Sequence, residues 1–210
     1  IRNVMLAMSD SEPLMHDLMN YRFAGEDDND ISGHSLGNLI LTALTNMSGS
    51  FDSAIKTACK YLNVDGKIIP STLQSVTLLA KLEDGSIVTG EKNVPNDKQY
   101  IETVFYENDV IANPEAIKAI ENADLIIYGI GSLYTSILPN TIIKGIADAL
   151  KNSKAKKVYF ANCMTQANET YNYDLKDHLN ALSKHNTPVD VVIVHNNKIP
   201  QEIVERYLKR

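Results

Sequence analysis

From about residue 113 onward the chain switches between short apolar runs and amphipathic stretches of helical period. A helix over 114–122 leads into the apolar run 123–128. Helices over 139–151 and 174–184 alternate with apolar strands over 157–161 and 189–194, and Pro200 opens a final helix. Strands that are apolar throughout belong to a parallel sheet covered by helices on both faces. The fold class expected is therefore α/β, a parallel sheet with helices on both faces. Two cysteines, Cys59 and Cys163, rule out a disulfide scaffold.

The preceding residues differ. Ile1, Val4, Met5 and Met8 recur at helical spacing, so the chain reads as beginning inside a domain, with the amino-terminal part of that domain missing. Asp10 or Ser11 can cap a helix whose first turn holds Pro13 and whose apolar face is Leu14, Met15, Leu18 and Met19. Residues 25–30 carry four acids, either a divalent-cation loop or, as the spacing favours, a solvated one. Ser32 or Ser35 can cap a helix bearing Leu39, Ile40, Ala43, Leu44 and Met47. A further helix spans 51–62 with Ala54, Ile55, Ala58 and Leu62 inward. From Gly66 the period falls to two. Runs at 75–82 and 87–90 flank Glu83-Asp84-Gly85-Ser86 as a hairpin, and 101–106 adds a strand. Residues 66–106 thus form a small β-rich insertion within one domain spanning 1–210.

Charge and cysteine content narrow the function. Twenty Lys and Arg stand against 26 Asp and Glu, a net charge of -6, which argues against nucleic-acid and anionic-membrane binding. Cys59 and Cys163 form no Cys-x-x-Cys, so a cysteine zinc site is excluded; Cys163 reads as a small buried residue rather than a nucleophile. No apolar run reaches the roughly 18 residues of a membrane span. A cytoplasmic location is the default.

In a parallel sheet, ligands bind outside the carboxyl ends of the strands. Two loops occupy that place. Gly129-Ile130-Gly131-Ser132 continues through Thr135 and Ser136. Its amides and hydroxyls suit an anion or sugar; the other reading is a tight strand-to-helix turn. Asn162, Cys163, Met164, Thr165, Gln166, Asn168, Glu169 and Thr170 make a largely neutral polar set, suited to a base or sugar or simply to a surface loop. His34 sits between glycines where a protonated ring could meet phosphate, and His178 reads as an exposed or half-buried helix residue. Without a His-x-x-x-His or Glu-x-x-His pattern, no metal site is expected; hydrolase elbows and P-loops are likewise missing from the sequence.

Ile1-Arg2-Asn3, Tyr21-Arg22-Phe23, GHSLGN at 33–38, GSLYTS at 131–136, MTQ at 164–166 and Glu169-Thr170 occur together in this order. In this the chain closely resembles, over essentially its whole length, the gluconeogenesis factors of the YvcK type. These lie within the superfamily of 2-phospho-L-lactate transferases (CofD-like). The resemblance implies a Rossmann-like nucleotide-binding fold and a cytoplasmic regulatory protein that binds UDP-sugars such as UDP-N-acetylglucosamine. It also implies a role in cell shape and cell-wall precursor supply on gluconeogenic carbon sources. The ligand-binding set implied is Arg2, Asn3, Gly33, His34, Ser35, Asn38, Gly129, Gly131, Ser132, Asn162, Thr165, Gln166 and Glu169. No catalytic residue and no cofactor is assigned. The alternative is a transferase moving a phospholactyl-type group from a nucleotide-linked donor, for which Mg²⁺ would be required. Self-association into a homo-oligomer is compatible with either. Family members begin with a strand and a Gly-Gly-Gly-Thr-Gly-type loop that is not in this sequence. They also read Gly-Pro-Gly-Ser where Ile130 stands here, and carry an aspartate where Tyr171 stands.

Overall fold

A computed structural model describes residues 1–10, 13–24, 31–91, 93–94, 99–166 and 168–208. The acidic stretch at 25–30 and the alternative cap Ser11 lie outside the described residues. Two compact units emerge, Ile1–Leu73 and Gln74–Arg210.

The first unit is helical: α1 (Arg2–Ala7), α2 (Pro13–Asn20), α3 (Leu36–Ser48) and α4 (Phe51–Tyr61). Helix α3 starts where Ser35 Oγ accepts the Asn38 amide, and stops at Gly49, whose φ of 72° is the left-handed turn that glycine adopts without a Cβ penalty. Ser50 caps α4 in the same way as Ser35 caps α3. Met5, Leu6, Met19, Leu41, Ile55, Ala58 and Leu62 form the core. The apolar face expected on α2 is corrected. Only Met19 is buried there, whereas Leu14 is 67% exposed and Met15 and Leu18 are exposed as well. On α3, Leu41 is the core residue, and Ile40, Ala43 and Met47 face outward.

The second unit opens with an antiparallel sheet of order β2-β1-β3, from β1 (Leu78–Leu82), β2 (Ile87–Thr89) and β3 (Ile101–Tyr106). Its inward row is Leu78, Ala80, Leu82, Ile101 and Val104. At the hairpin, Asp84 accepts from the Ser86 hydroxyl and amide and from Gln99, and these bonds hold its carboxyl below the usual range. Next come α5 (Pro114–Glu121), β4 (Leu125–Tyr128), a π-helical turn (Leu133–Ile137), α6 (Leu138–Thr141), α7 (Lys144–Asn152), β5 (Lys156–Phe160), α8 (Leu175–Lys184), β6 (Val191–Ile193) and α9 (Gln201–Leu208). Strands β4, β5 and β6 pair in parallel, in that order. The α/β class with a parallel sheet, helices and a small β-rich part is thus observed. The expected helix over 139–151 is broken, because Ile143 is extended (ψ 119°) between α6 and α7.

The two faces of the parallel sheet differ in burial. Tyr128 and Tyr159 are buried on one face, and the Tyr159 hydroxyl meets His178 of α8 at 3.0 Å. On the other, Leu125 and Ile127 are 51% and 53% exposed, and Val191 and Ile193 are exposed too. The expectation of a buried strand over 123–128 is met by Tyr128; Ile126 on the same face is half-buried, and Leu125 and Ile127 face the other way, as the period of two requires.

Candidate functional site

The loops expected to meet at the carboxyl ends of the strands do meet, and they are joined by side chains. Asn162, just beyond β5, donates from Nδ2 to the Gly131 carbonyl at 3.0 Å. Gln166 donates from Nε2 to Ser132 Oγ at 2.8 Å. Its own backbone is set by Thr170, whose hydroxyl accepts the Gln166 amide and whose amide returns to the Gln166 carbonyl. Each of these amide side chains spends its nitrogen on the protein and keeps its oxygen. Asn162 Oδ1 and Gln166 Oε1 are buried and have no hydrogen-bond partner among the described residues. A buried acceptor left unmade costs about 1–3 kcal/mol, so each of these oxygens would be stabilised by a donor from elsewhere.

Glu169 has the opposite character. It is buried, takes the Tyr134 amide on Oε2 at 3.1 Å and the Thr135 hydroxyl on Oε1 at 2.6 Å. Burial pushes its carboxyl up, and these donors pull it back only in part. The hydroxyl and amide expected to face a ligand anion do face an anion, but it is the chain's own Glu169. Glu169 therefore ties the two loops together within the protein. Gly131 does not have positive φ; a Cβ there would lie 3.2 Å from Ser136 Cβ, a tight contact, whereas Gly129 opens onto free space.

A cavity of about 260 Å³ lies against this edge, lined by Asn162, Cys163, Thr165, His178, His195 and Asn197 among others. Two expectations are corrected here. Cys163 is exposed rather than buried, because its loop has already left the sheet. His178 is buried at 5% exposure rather than on the helix surface, because α8 turns that side toward Tyr159; desolvation lowers its pKa, while Asp177 and Asp174 oppose the shift. His195 and Asn197 were not among the expected residues. The signal was available: they follow the third parallel strand, so their loop must open on the same edge as the other two.

The remaining expected residues belong to the first unit. Ser35 is fully buried as the α3 cap, and Gly33 (φ 74°) offers its carbonyl to Arg22 Nη1 at 2.7 Å. Asn3, His34 and Asn38 are exposed. Arg2 holds Asn3 Oδ1 through Nε and Nη2 at 3.2 and 2.9 Å, while its Nη1 is buried without a partner among the described residues. Gly37 makes room for that arginine: a Cβ there would stand 2.7 Å from both Arg2 Cδ and the Met19 carbonyl.

Among the described residues, no three His, Cys, Asp or Glu side chains converge to hold a metal ion. Glu169 is committed to Tyr134 and Thr135, and Asp174 to the capping box of α8. These residues do not fit a Mg²⁺ site. No helix of the described residues is long and apolar enough to cross a membrane.

The family model for 2-phospho-L-lactate transferase CofD matches residues 1–210. The chain is 47% identical over 210 residues to the gluconeogenesis factor of Bacillus subtilis, covering 99% of this chain and 66% of that protein. It is 43% identical over 212 residues to the gluconeogenesis factor of Halalkalibacterium halodurans, covering all of this chain and 65% of that one. The crystal structure of a UPF0052-family protein from Bacillus halodurans superposes with a TM-score of 0.91 at 43% identity, over 99% of this chain and 67% of that one. The chain spans about two thirds of the length of the curated relatives it matches. It belongs to the CofD family, and its curated relatives are gluconeogenesis factors of the YvcK type.

Proposed function

We propose that this member of the CofD family acts as a gluconeogenesis factor that binds a nucleotide sugar of the UDP-N-acetylglucosamine class and regulates, rather than catalyses. The observation that carries the ligand reading is the pair of buried, unpartnered acceptors Asn162 Oδ1 and Gln166 Oε1. They require N–H or O–H donors. A uracil imide, sugar hydroxyls and an acetamido N–H supply such donors; inorganic phosphate supplies few. The names of the curated relatives support a role in gluconeogenesis; the family resemblance adds the cytoplasmic role in cell shape and cell-wall precursor supply.

Calorimetric titration of the intact protein with UDP-N-acetylglucosamine tests this. Asn162→Ala and Gln166→Ala should each weaken binding by about two- to tenfold, the worth of one neutral hydrogen bond. No binding by folded protein, or unchanged affinity in both variants, would overturn the reading.

A further inference from the structure

A second cleft, of about 350 Å³, opens between β3, the turn at 171–173 and α8. Its walls are tyrosines. Tyr100 and Tyr173 lie near parallel, with centroids 6.1 Å apart and planes at 25°, and Tyr134 meets Tyr173 edge-on with the two hydroxyls 3.0 Å apart. Tyr171 is exposed at the rim. Its charges are unbalanced. Among the described residues the lining includes Glu83, Glu102 and Asp177 against Lys184 alone. That lysine is spent on Glu102, at 3.2 Å, which Lys81 also holds at 2.8 Å. Among the described residues neither Glu83 nor Asp177 has a cationic partner. The Tyr173 phenol registers their field: burial raises its pKa most, and the Asp177 and Glu83 charges add to the rise.

Tyrosine faces and carboxylates that lack a cation are complementary to one chemistry. Ring faces attract a positive charge through their quadrupole, most effectively a cation whose weak hydration costs little to remove. The carboxylates do not converge as metal ligands do, which disfavours a divalent ion. We propose that this cleft is a binding site for a small alkylammonium cation, held over the Tyr100 and Tyr173 rings with Glu83 and Asp177 as counter-charges. The site is independent of the nucleotide-sugar reading, although Tyr173 lines both cavities.

The test compares choline with its neutral carbon isostere, 3,3-dimethylbutan-1-ol, by amide and ring NMR shifts in the intact protein. Choline should shift Tyr100, Tyr171, Tyr173 and Asn180 saturably, with the isostere at least tenfold weaker. Glu83→Gln, at an exposed position, should weaken choline three- to tenfold with an unchanged melting temperature, and Tyr100→Ala should weaken it at least as much. Equal binding of the two probes, no saturable shift at these residues, tight binding of a neutral sugar in the cleft, or insensitivity to Glu83→Gln would overturn the assignment.

Discussion

Glu169 and Gln166 lie three residues apart in one loop, and both reach the turn after β4, yet they make opposite kinds of contact. On the Glu169 side both carboxylate oxygens are bonded, to Tyr134 and Thr135. On the Gln166 side, shared with Asn162, the donors are used and the acceptors are left over. The difference separates a self-satisfied scaffold from the surface proposed for recognition. A region whose polar groups are all satisfied internally can only be weakened by change. A region with buried groups left over gains stability from a ligand that completes them.

The largest expected effect breaks the closed side. Glu169→Ala leaves the Tyr134 amide and Thr135 hydroxyl unpaired, at about 1–3 kcal/mol each, and should lower the denaturant midpoint sharply. Because the folded pKa of Glu169 is raised, its contribution is full below the unfolded carboxylate range and is lost as pH rises through the folded value. Stability of wild type relative to Glu169→Gln should therefore increase on acidification across that window. A flat difference across pH would contradict a raised pKa.

Next is the clamp behind the site. His185 accepts the Val104 amide on Nε2 at 3.0 Å and contacts the Ala181 carbonyl through Nδ1 at 2.7 Å, which assigns the neutral Nδ1–H tautomer. Burial depresses its pKa, as it does that of His178. The sign is opposite to Glu169: the contribution is present above the ordinary histidine range and lost as pH falls from there toward the folded values. Urea titrations from pH 7 down to pH 5 should show that fall. His185→Ala should flatten part of it while costing about 1–3 kcal/mol at neutral pH.

The open side responds in affinity more than in stability. Thr165→Ala, lining the 260 Å³ cavity, should weaken UDP-N-acetylglucosamine binding by a few-fold and move the thermal midpoint little. An unchanged titration would place the sugar away from Thr165. Smallest are the glycine substitutions. Gly129→Ala, facing open space, should stay within about 0.5 kcal/mol of wild type, and Gly131→Ala, pressed against Ser136, should cost somewhat more. Equal costs would mean the turn relaxes around position 131.

The local elements were legible in the sequence because their causes are local. Ser35, Asn113 and Asp174 cap helices through their own side chains, and Gly85 turns the hairpin at φ 84°. The alternation after residue 113 determined a parallel sheet, and with it the edge where Asn162 and Gly131 meet. Tertiary structure alone decided which polar atoms would remain over. Glu169 reads in sequence as one more ligand group; only packing brings it under Tyr134 and Thr135, more than thirty residues away in sequence. The burial of His178 and the exposure of Cys163 depend on how α8 and its loop sit on the sheet, which helical period does not specify. The tyrosine cleft draws on β1's turn, β3 and α8, with Glu83 and Lys184 a hundred positions apart. Periodicity reports which face of an element is apolar. Which side chains from distant elements satisfy, neutralise or leave one another unpaired is a property of the assembled packing.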